Sequence, residues 1–133
     1  MKALVSVYDK VGIVELALGL KAKDYELIST GGSAKAINSH ENLSATEVAE
    51  ITGFSEMLDG RVKTLHPHIH GGILAKRNDP SHIASLSFQG ISTIDLVAVN
   101  LYPFEKVAQE NPEDLNEIIE NIDIGGPTLI RSA

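Results

Sequence analysis

The strongest constraint on this chain is the order of its first thirty residues. Ala3-Leu4-Val5-Ser6-Val7 is a short apolar run of the kind shown by a strand buried on both faces. Val11 to Lys23 follows, with Val14, Leu16, Ala17, Leu18 and Leu20 at helical spacing beside Glu15 and Lys21. Tyr25 to Ser29 then returns to strand character. Strand, amphipathic helix and strand in succession predict parallel neighbours joined by a crossover helix.

The pattern continues downstream. Ser29-Thr30-Gly31-Gly32-Ser33 is a glycine turn, and Ala34-Lys35-Ala36-Ile37 supplies helix formers behind Ser33 as candidate N-cap. After a polar loop from His40 to Ser44, Ala45 to Ile51 reads as a short strand leading into one helical turn before Gly53. Thr52 to Arg77 has poor periodicity and recurrent glycines, and Pro67 is expected to interrupt any long helix, so this stretch reads as loop with short helical pieces. Asp79-Pro80 starts a helix to Phe88, and Ile94 to Asn100 is the clearest strand. A helix is expected from Asn111-Pro112 through Glu120, and a last one from Thr128. The fold class is α/β, a largely parallel sheet with helices on both faces.

Composition narrows the function. Asp and Glu number 18 against 11 Lys and Arg, a net charge of −7 that disfavours nucleic acid as a partner. No window approaches the ~18 apolar residues of a membrane span, and the apolar start is broken by Asp9 too early for a secretory signal. A cytoplasmic location is the default expectation. The absence of cysteine removes disulfides, thiolate metal sites and thiol nucleophiles.

In parallel sheets, ligands gather at the carboxyl ends of the strands. Ser6 to Lys10, Ser29 to Ser33 and Asn100 to Tyr102 fall at such ends. The Ser29 to Ser33 turn combines glycines, hydroxyls and the free N–H groups of a helix start, a cradle for phosphate to which Lys10 adds a positive charge. It is equally what a capped helix start looks like, and it lacks the spacing of a P-loop or dinucleotide fingerprint. Gly60-Arg61-Val62-Lys63-Thr64-Leu65-His66-Pro67 concentrates two cations and a hydroxyl on an irregular segment, as a bound anion or a surface basic patch would require. His66, His68 and His70 alternate, but Pro67 and Gly71-Gly72 argue against a regular strand and no carboxylate completes a ligand set by spacing, so no metal is expected. Asp123 lies between isoleucines before Gly125-Gly126-Pro127, where spacing favours a helix cap over a ligand-reading carboxylate. Glu110 to Glu120 reads as a solvated helix face.

Taken together, Ser6-Val7-Tyr8-Asp9-Lys10, Ser29-Thr30-Gly31-Gly32-Ser33-Ala34-Lys35, GRVKTLHP from Gly60, His70-Gly71-Gly72-Ile73-Leu74-Ala75, Asn100-Leu101-Tyr102-Pro103-Phe104 and IDIGGPT from Ile122 resemble the IMP cyclohydrolase domain of the bifunctional purine-biosynthesis enzymes, in order and in gaps. The resemblance runs from the first residue to the last. It implies a methylglyoxal-synthase-like three-layer sandwich and the dehydrating closure of FAICAR to IMP, a reaction that needs no metal or organic cofactor. It implies a small-molecule substrate, neither nucleic acid nor membrane as partner, and it is compatible with a homodimer.

Residue by residue, the resemblance puts the 5′-phosphate near Lys10, Thr30, Gly31, Gly32 and Ser33, with Ser6 and Tyr8 also among the substrate-binding residues. Tyr8 stands where many members carry serine. Arg61 and Thr64 would line base and ribose, with Lys63 stabilising negative charge during closure. Asn100 and Tyr102 would lie at the reacting end of the base. Asp123 and the backbone of Ile124, Gly125 and Gly126 would read the carboxamide, with Lys63, Tyr102 and Asp123 as the catalytic set.

Family members continue the last motif as RSAAKN or RAAAKN, whose lysine is assigned proton transfer, whereas the sequence ends at Ala133. The expectation is a domain shortened at that end, without the transformylase domain that follows in the family. Two further readings share the site: a purine-nucleotide or phosphate-binding module without catalysis, and methylglyoxal synthase, which GRVKTLHP and IDIGGPT do not support.

Overall fold

The computed structural model describes residues 1–58 and 60–133. Its centre is a sheet of strands β1 (Lys2–Ser6), β2 (Glu26–Ser29), β3 (Ala45–Glu47) and β4 (Leu96–Val99) in the order β3-β2-β1-β4. Every pairing is parallel, with Leu4 opposite Ile28 and Val97, and Ser29 opposite Val5 and Glu47. The carboxyl ends of all strands therefore lie along one edge.

Alternation along the strands explains the layers. Ala3 and Val5 point to one face and pack with Ile13, Ala17 and Leu20 of α1 (Ile13–Lys21) and Ile37 of α2 (Gly31–Asn38). Leu4 and Ile28 point to the other, against Val48 of α3 (Val48–Thr52), Ile69 of α4 (Pro67–Leu74) and Leu129 near the end of the chain. Leu4, Val5, Ile37 and Ile69 are completely buried. A parallel sheet with helices on both faces is the arrangement anticipated from the alternation of strands and helices. Among the described residues no helix is long and apolar enough to cross a membrane.

Several local readings need correction. Pro67 does not interrupt a helix but opens one: it sits in the first turn of α4, where a missing N–H costs nothing, behind His66 as N-cap. Gly72 belongs to that helix because a Cβ there would come within 2.6 Å of Ser92 O, so the glycine allows α4 to lie on the segment leading to β4. The α2 helix begins at Gly31 with Thr30 as N-cap, earlier than glycine content suggested, and Ser33 is its third residue. Helix α5 (Pro80–Phe88) starts where expected, and Asp79 caps it with a carboxylate that accepts from Ser81 N at 2.9 Å. The stretch after β4 holds a helix that periodicity missed, α6 (Phe104–Glu110). The next, α7 (Leu115–Glu120), starts beyond Pro112, and α8 (Gly125–Ser132) starts before Thr128.

Candidate functional site

At the carboxyl edge of the sheet, the loops after β1, β2 and β4 meet the 60–65 segment and the start of α8 around a cavity of about 410 Å³, within the range of small-ligand sites. Ser6, Tyr8, Lys10, Thr30, Gly32, Ser33, Arg61, Lys63, Thr64, Asn100, Tyr102, Asp123, Ile124, Gly125 and Gly126 all line it. Gly31 lies just behind the wall, where an added Cβ would be 3.4 Å from Lys63 Nζ. Residues scattered over most of the chain thus converge on one space.

The β1–β2 side is tied together by hydroxyls. Ser33 Oγ accepts from Val7 N at 3.0 Å and donates to Val7 O at 2.9 Å, while Ser6 and Thr30 share a hydrogen bond of 2.8 Å. Ser33 and Thr30 are buried. Ser33 N bonds back to Thr30 O, whereas the Gly31 and Gly32 N–H groups have no acceptor among the described residues. Free N–H groups at a helix start favour an anion. Lys10 crosses this turn, with Cε 3.1 Å from where a Cβ on Gly32 would stand and Nζ donating to Tyr8 O at 2.9 Å.

On the opposite side a tight hairpin carries the cations. Met57 and Val62 bridge in antiparallel fashion, and Gly60 turns at φ +83°. Lys63 Nζ pairs with Glu56 Oε2 at 3.2 Å, and Arg61 forms an ion pair with Glu120 at the end of α7. Thr64 Oγ1 lies 3.4 Å from where a Cβ on Gly125 would stand.

Asp123 makes the cap that spacing favoured and also lines the cavity. Its Oδ1 accepts from Gly126 N at 2.8 Å, a cap-like bond on the first turn of α8, and its Oδ2 accepts from Tyr102 N at 3.2 Å, yet the residue lines the cavity. The Gly126 N–H is therefore committed, and Pro127 has none, which leaves Gly125 with a free N–H in that turn among the described residues. Asn100 holds the loop after β1: its Oδ1 accepts from Tyr8 N and Asp9 N, and its Nδ2 donates to Asp9 O. The Tyr8 and Tyr102 rings meet edge to face with centroids 5.2 Å apart.

The histidines are separately occupied. His66 Nδ1 accepts from His68 N, His68 Nδ1 lies 3.0 Å from Ile51 O, and His70 Nδ1 lies 2.7 Å from Ser132 Oγ, which ties α4 to α8. Burial holds the His70 imidazole below its ordinary pKa, opposed by the Thr64 backbone. No group of three or more metal-ligating side chains occurs among the described residues.

Sequence reading missed Glu56, Ile119, Glu120 and Ile122. Glu120 belonged to the stretch read as a solvated helix face, but it lines the cavity and pairs with Arg61. Glu56 carried no motif of its own; only its opposite charge across a short hairpin from Lys63 could have pointed to it.

A parallel sheet flanked by helices, with a cavity at its carboxyl edge lined by a helix start and by Lys10, Arg61 and Lys63, defines an α/β domain. The family described as MGS-like domain matches residues 12–128, and the chain belongs to it. It is 58% identical over 133 residues to the bifunctional purine biosynthesis protein PurH of Deinococcus deserti, covering 99% of this chain and 25% of that protein. It is 54% identical over 132 residues to the protein of the same name from Oceanobacillus iheyensis, covering 99% and 26%. The chain thus spans about a quarter of the length of these curated relatives. Among solved structures, the crystal structure of ForH superposes with a TM-score of 0.82 at 32% identity, over 100% of this chain and 66% of that one.

Proposed function

We propose that this domain closes the purine ring, converting FAICAR to IMP and water. The observation that carries the reading is that one cavity joins an anion cradle at Gly32, Ser33 and Lys10 to a second cluster of Lys63, Tyr102, Asp123 and the start of α8. A nucleoside monophosphate has the matching polarity, with phosphate at one end and a polar base at the other. The purine-biosynthesis names of relatives at 58% and 54% identity support the same substrate class.

The chemistry follows from these groups. The carboxamide nitrogen attacks the formyl carbon, a C–N bond forms, and negative charge develops on the formyl oxygen. Lys63 donates to that oxygen, a contribution worth about 3 kcal/mol when one such donor is lost elsewhere. Asp123, oriented by its bonds from Gly126 and Tyr102, accepts from the carboxamide N–H and aims the nitrogen. The attacking nitrogen then loses one proton and keeps the other, and the formamide nitrogen loses its own. The former formyl oxygen leaves with these two protons as water while the C=N bond forms between the former formyl carbon and the formamide nitrogen. Holding both groups on one nucleotide supplies the orientation that the attack requires.

The test is cyclisation of FAICAR by the purified protein, read from the absorbance of IMP, together with calorimetry of IMP binding. Turnover with saturation supports the proposal. Binding of IMP without turnover reassigns the domain to a non-catalytic nucleotide module, and neither binding nor turnover removes the purine reading altogether.

A further inference from the structure

Lys63 is mounted on the short hairpin described above, and the register of that hairpin decides what stands opposite it. Met57 N donates to Val62 O and Val62 N to Met57 O, each at 3.4 Å, with the turn closed by Gly60 N to Met57 O at 3.2 Å. One step outward from the Met57–Val62 bridge, residues 56 and 63 face each other, and the opposite charges meet at 3.2 Å. Space for the pair is made by two glycines. A Cβ on Gly60 would lie 2.7 Å from Lys63 Nζ and 2.9 Å from Glu56 Oε1, and one on Gly31 would lie 3.4 Å from both Lys63 Nζ and Glu56 Oε2. Lys63 lines the cavity, whereas Glu56 does not.

We propose that Glu56 is a positioning residue: its carboxylate holds the Lys63 ammonium at the cavity wall in the orientation needed for ring closure. The inference rests on the cyclohydrolase reading above. The pair is too exposed to matter for folding, with side-chain exposures of 29% for Lys63 and 47% for Glu56. Its value is geometric. An ammonium carries three donors on a flexible four-carbon stem. One donor given to Glu56 fixes the stem and leaves the others for substrate. Without Glu56, the ammonium is free to turn toward Glu120 and Asp123, the carboxylates that line the cavity, and the donor is no longer where the oxyanion forms. Glu56 itself takes no proton from substrate, because it does not reach the cavity.

The test compares Glu56→Gln and Glu56→Asp with the parent full-length protein in two measurements. In FAICAR cyclisation, Glu56→Gln lowers kcat by about 10- to 100-fold, the scale of a misplaced catalytic group, while KM stays nearly constant; Glu56→Asp recovers part of the loss. In competitive acetylation by acetic anhydride, read peptide by peptide, Glu56→Gln raises the labelling rate of Lys63 relative to Lys10. An unchanged kcat, or a rise in KM alone, overturns the proposal. If the parent protein does not cyclise FAICAR, the functional reading has failed and acetylation decides: faster Lys63 labelling in Glu56→Gln upholds the positioning role, and an unchanged rate overturns it.

Discussion

The two sides of the cavity reach the same ligand space by different means. On the β1–β2 side, Ser33 and Thr30 are 3% and 7% exposed, and behind them Leu4, Ile28, Ala34 and Ile37 are part of the core. Hydroxyl bonds between Ser33 and Val7 and between Ser6 and Thr30 lock the strand ends together. On the other side, α6 and α7 contain no buried residue, and Ile119, Ile122 and Ile124 remain more than half exposed. That side is held by the Arg61–Glu120 and Lys63–Glu56 pairs and by the contact between Tyr8 and Tyr102. The Gly31–Gly32 helix start is fixed by the core, while the opposite side, which faces the base in the proposed reading, is fixed mainly by charges and rings near the surface. Substitutions on the first side should therefore act on stability, and those on the second on chemistry.

The largest expected effect tests the second half of that statement. Lys63→Ala should lower the rate of FAICAR cyclisation about 10²- to 10³-fold, the usual cost of removing a donor to a developing oxyanion. Its thermal midpoint should stay close to that of the parent, because the ion pair it loses is partly solvated. A large drop in melting temperature would show that the hairpin is built into the core, and the contrast would fail.

Ser33→Ala tests the other half. It removes the partner of both Val7 N and Val7 O at a buried position. Urea unfolding should show a loss of about 1–3 kcal/mol, the cost of leaving such groups unsatisfied. IMP affinity should fall with the distortion of the Gly31–Gly32 turn, and a variant as stable as the parent would break the comparison from this side.

The same contrast explains which parts of the molecule sequence could reveal. Ala3 to Val7 announced a strand because Ala3 and Val5 are buried on one face and Leu4 on the other, and α1 was legible because Val14, Ala17 and Leu20 recur at helical spacing on the packed side, although Leu16 and Leu18, read with them, are exposed. Helix α6 escaped although Phe104, Val107 and Ala108 recur at helical spacing, because a segment of seven residues gives less than two turns of period to read. Pro67 was misread because a proline that breaks a helix and one that opens it look alike until the cap at His66 is seen. In the site, the glycine turn and the cations stood out as local strings. Glu56 and Glu120 did not, since each matters only through a partner brought near by folding, Lys63 in the one case and Arg61 in the other.

His70 gives a smaller effect with a definite sign. Burial holds its pKa below the ordinary 6.5, so the folded protein resists a proton that the unfolded chain accepts. The contribution is intact above about pH 6.5 and is lost as pH falls through that value toward the depressed folded pKa. Because His70 reaches Ser132 of α8 and lies by the Thr64 backbone, the loss loosens elements that carry the side of the cavity opposite the Gly31–Gly32 turn. His70→Asn should flatten the fall in melting temperature below that pH, and an unchanged pH profile would dissociate the histidine from it.

The smallest effect discriminates most finely. Arg61 and Glu120 are 61% and 52% exposed at their side chains, so Glu120→Gln should change unfolding free energy by less than about 1 kcal/mol, the range of surface pairs. Removing a carboxylate from the cavity lining also removes repulsion of an anionic ligand. IMP should therefore bind more tightly to the variant at low salt, and the difference should shrink as added salt screens the site. Calorimetry at low and high ionic strength, beside a urea titration, separates the two quantities. Destabilisation as large as that of Ser33→Ala would mean that the exposed pair holds α7 in place as firmly as the core holds the cradle, and the distinction between the two sides would collapse.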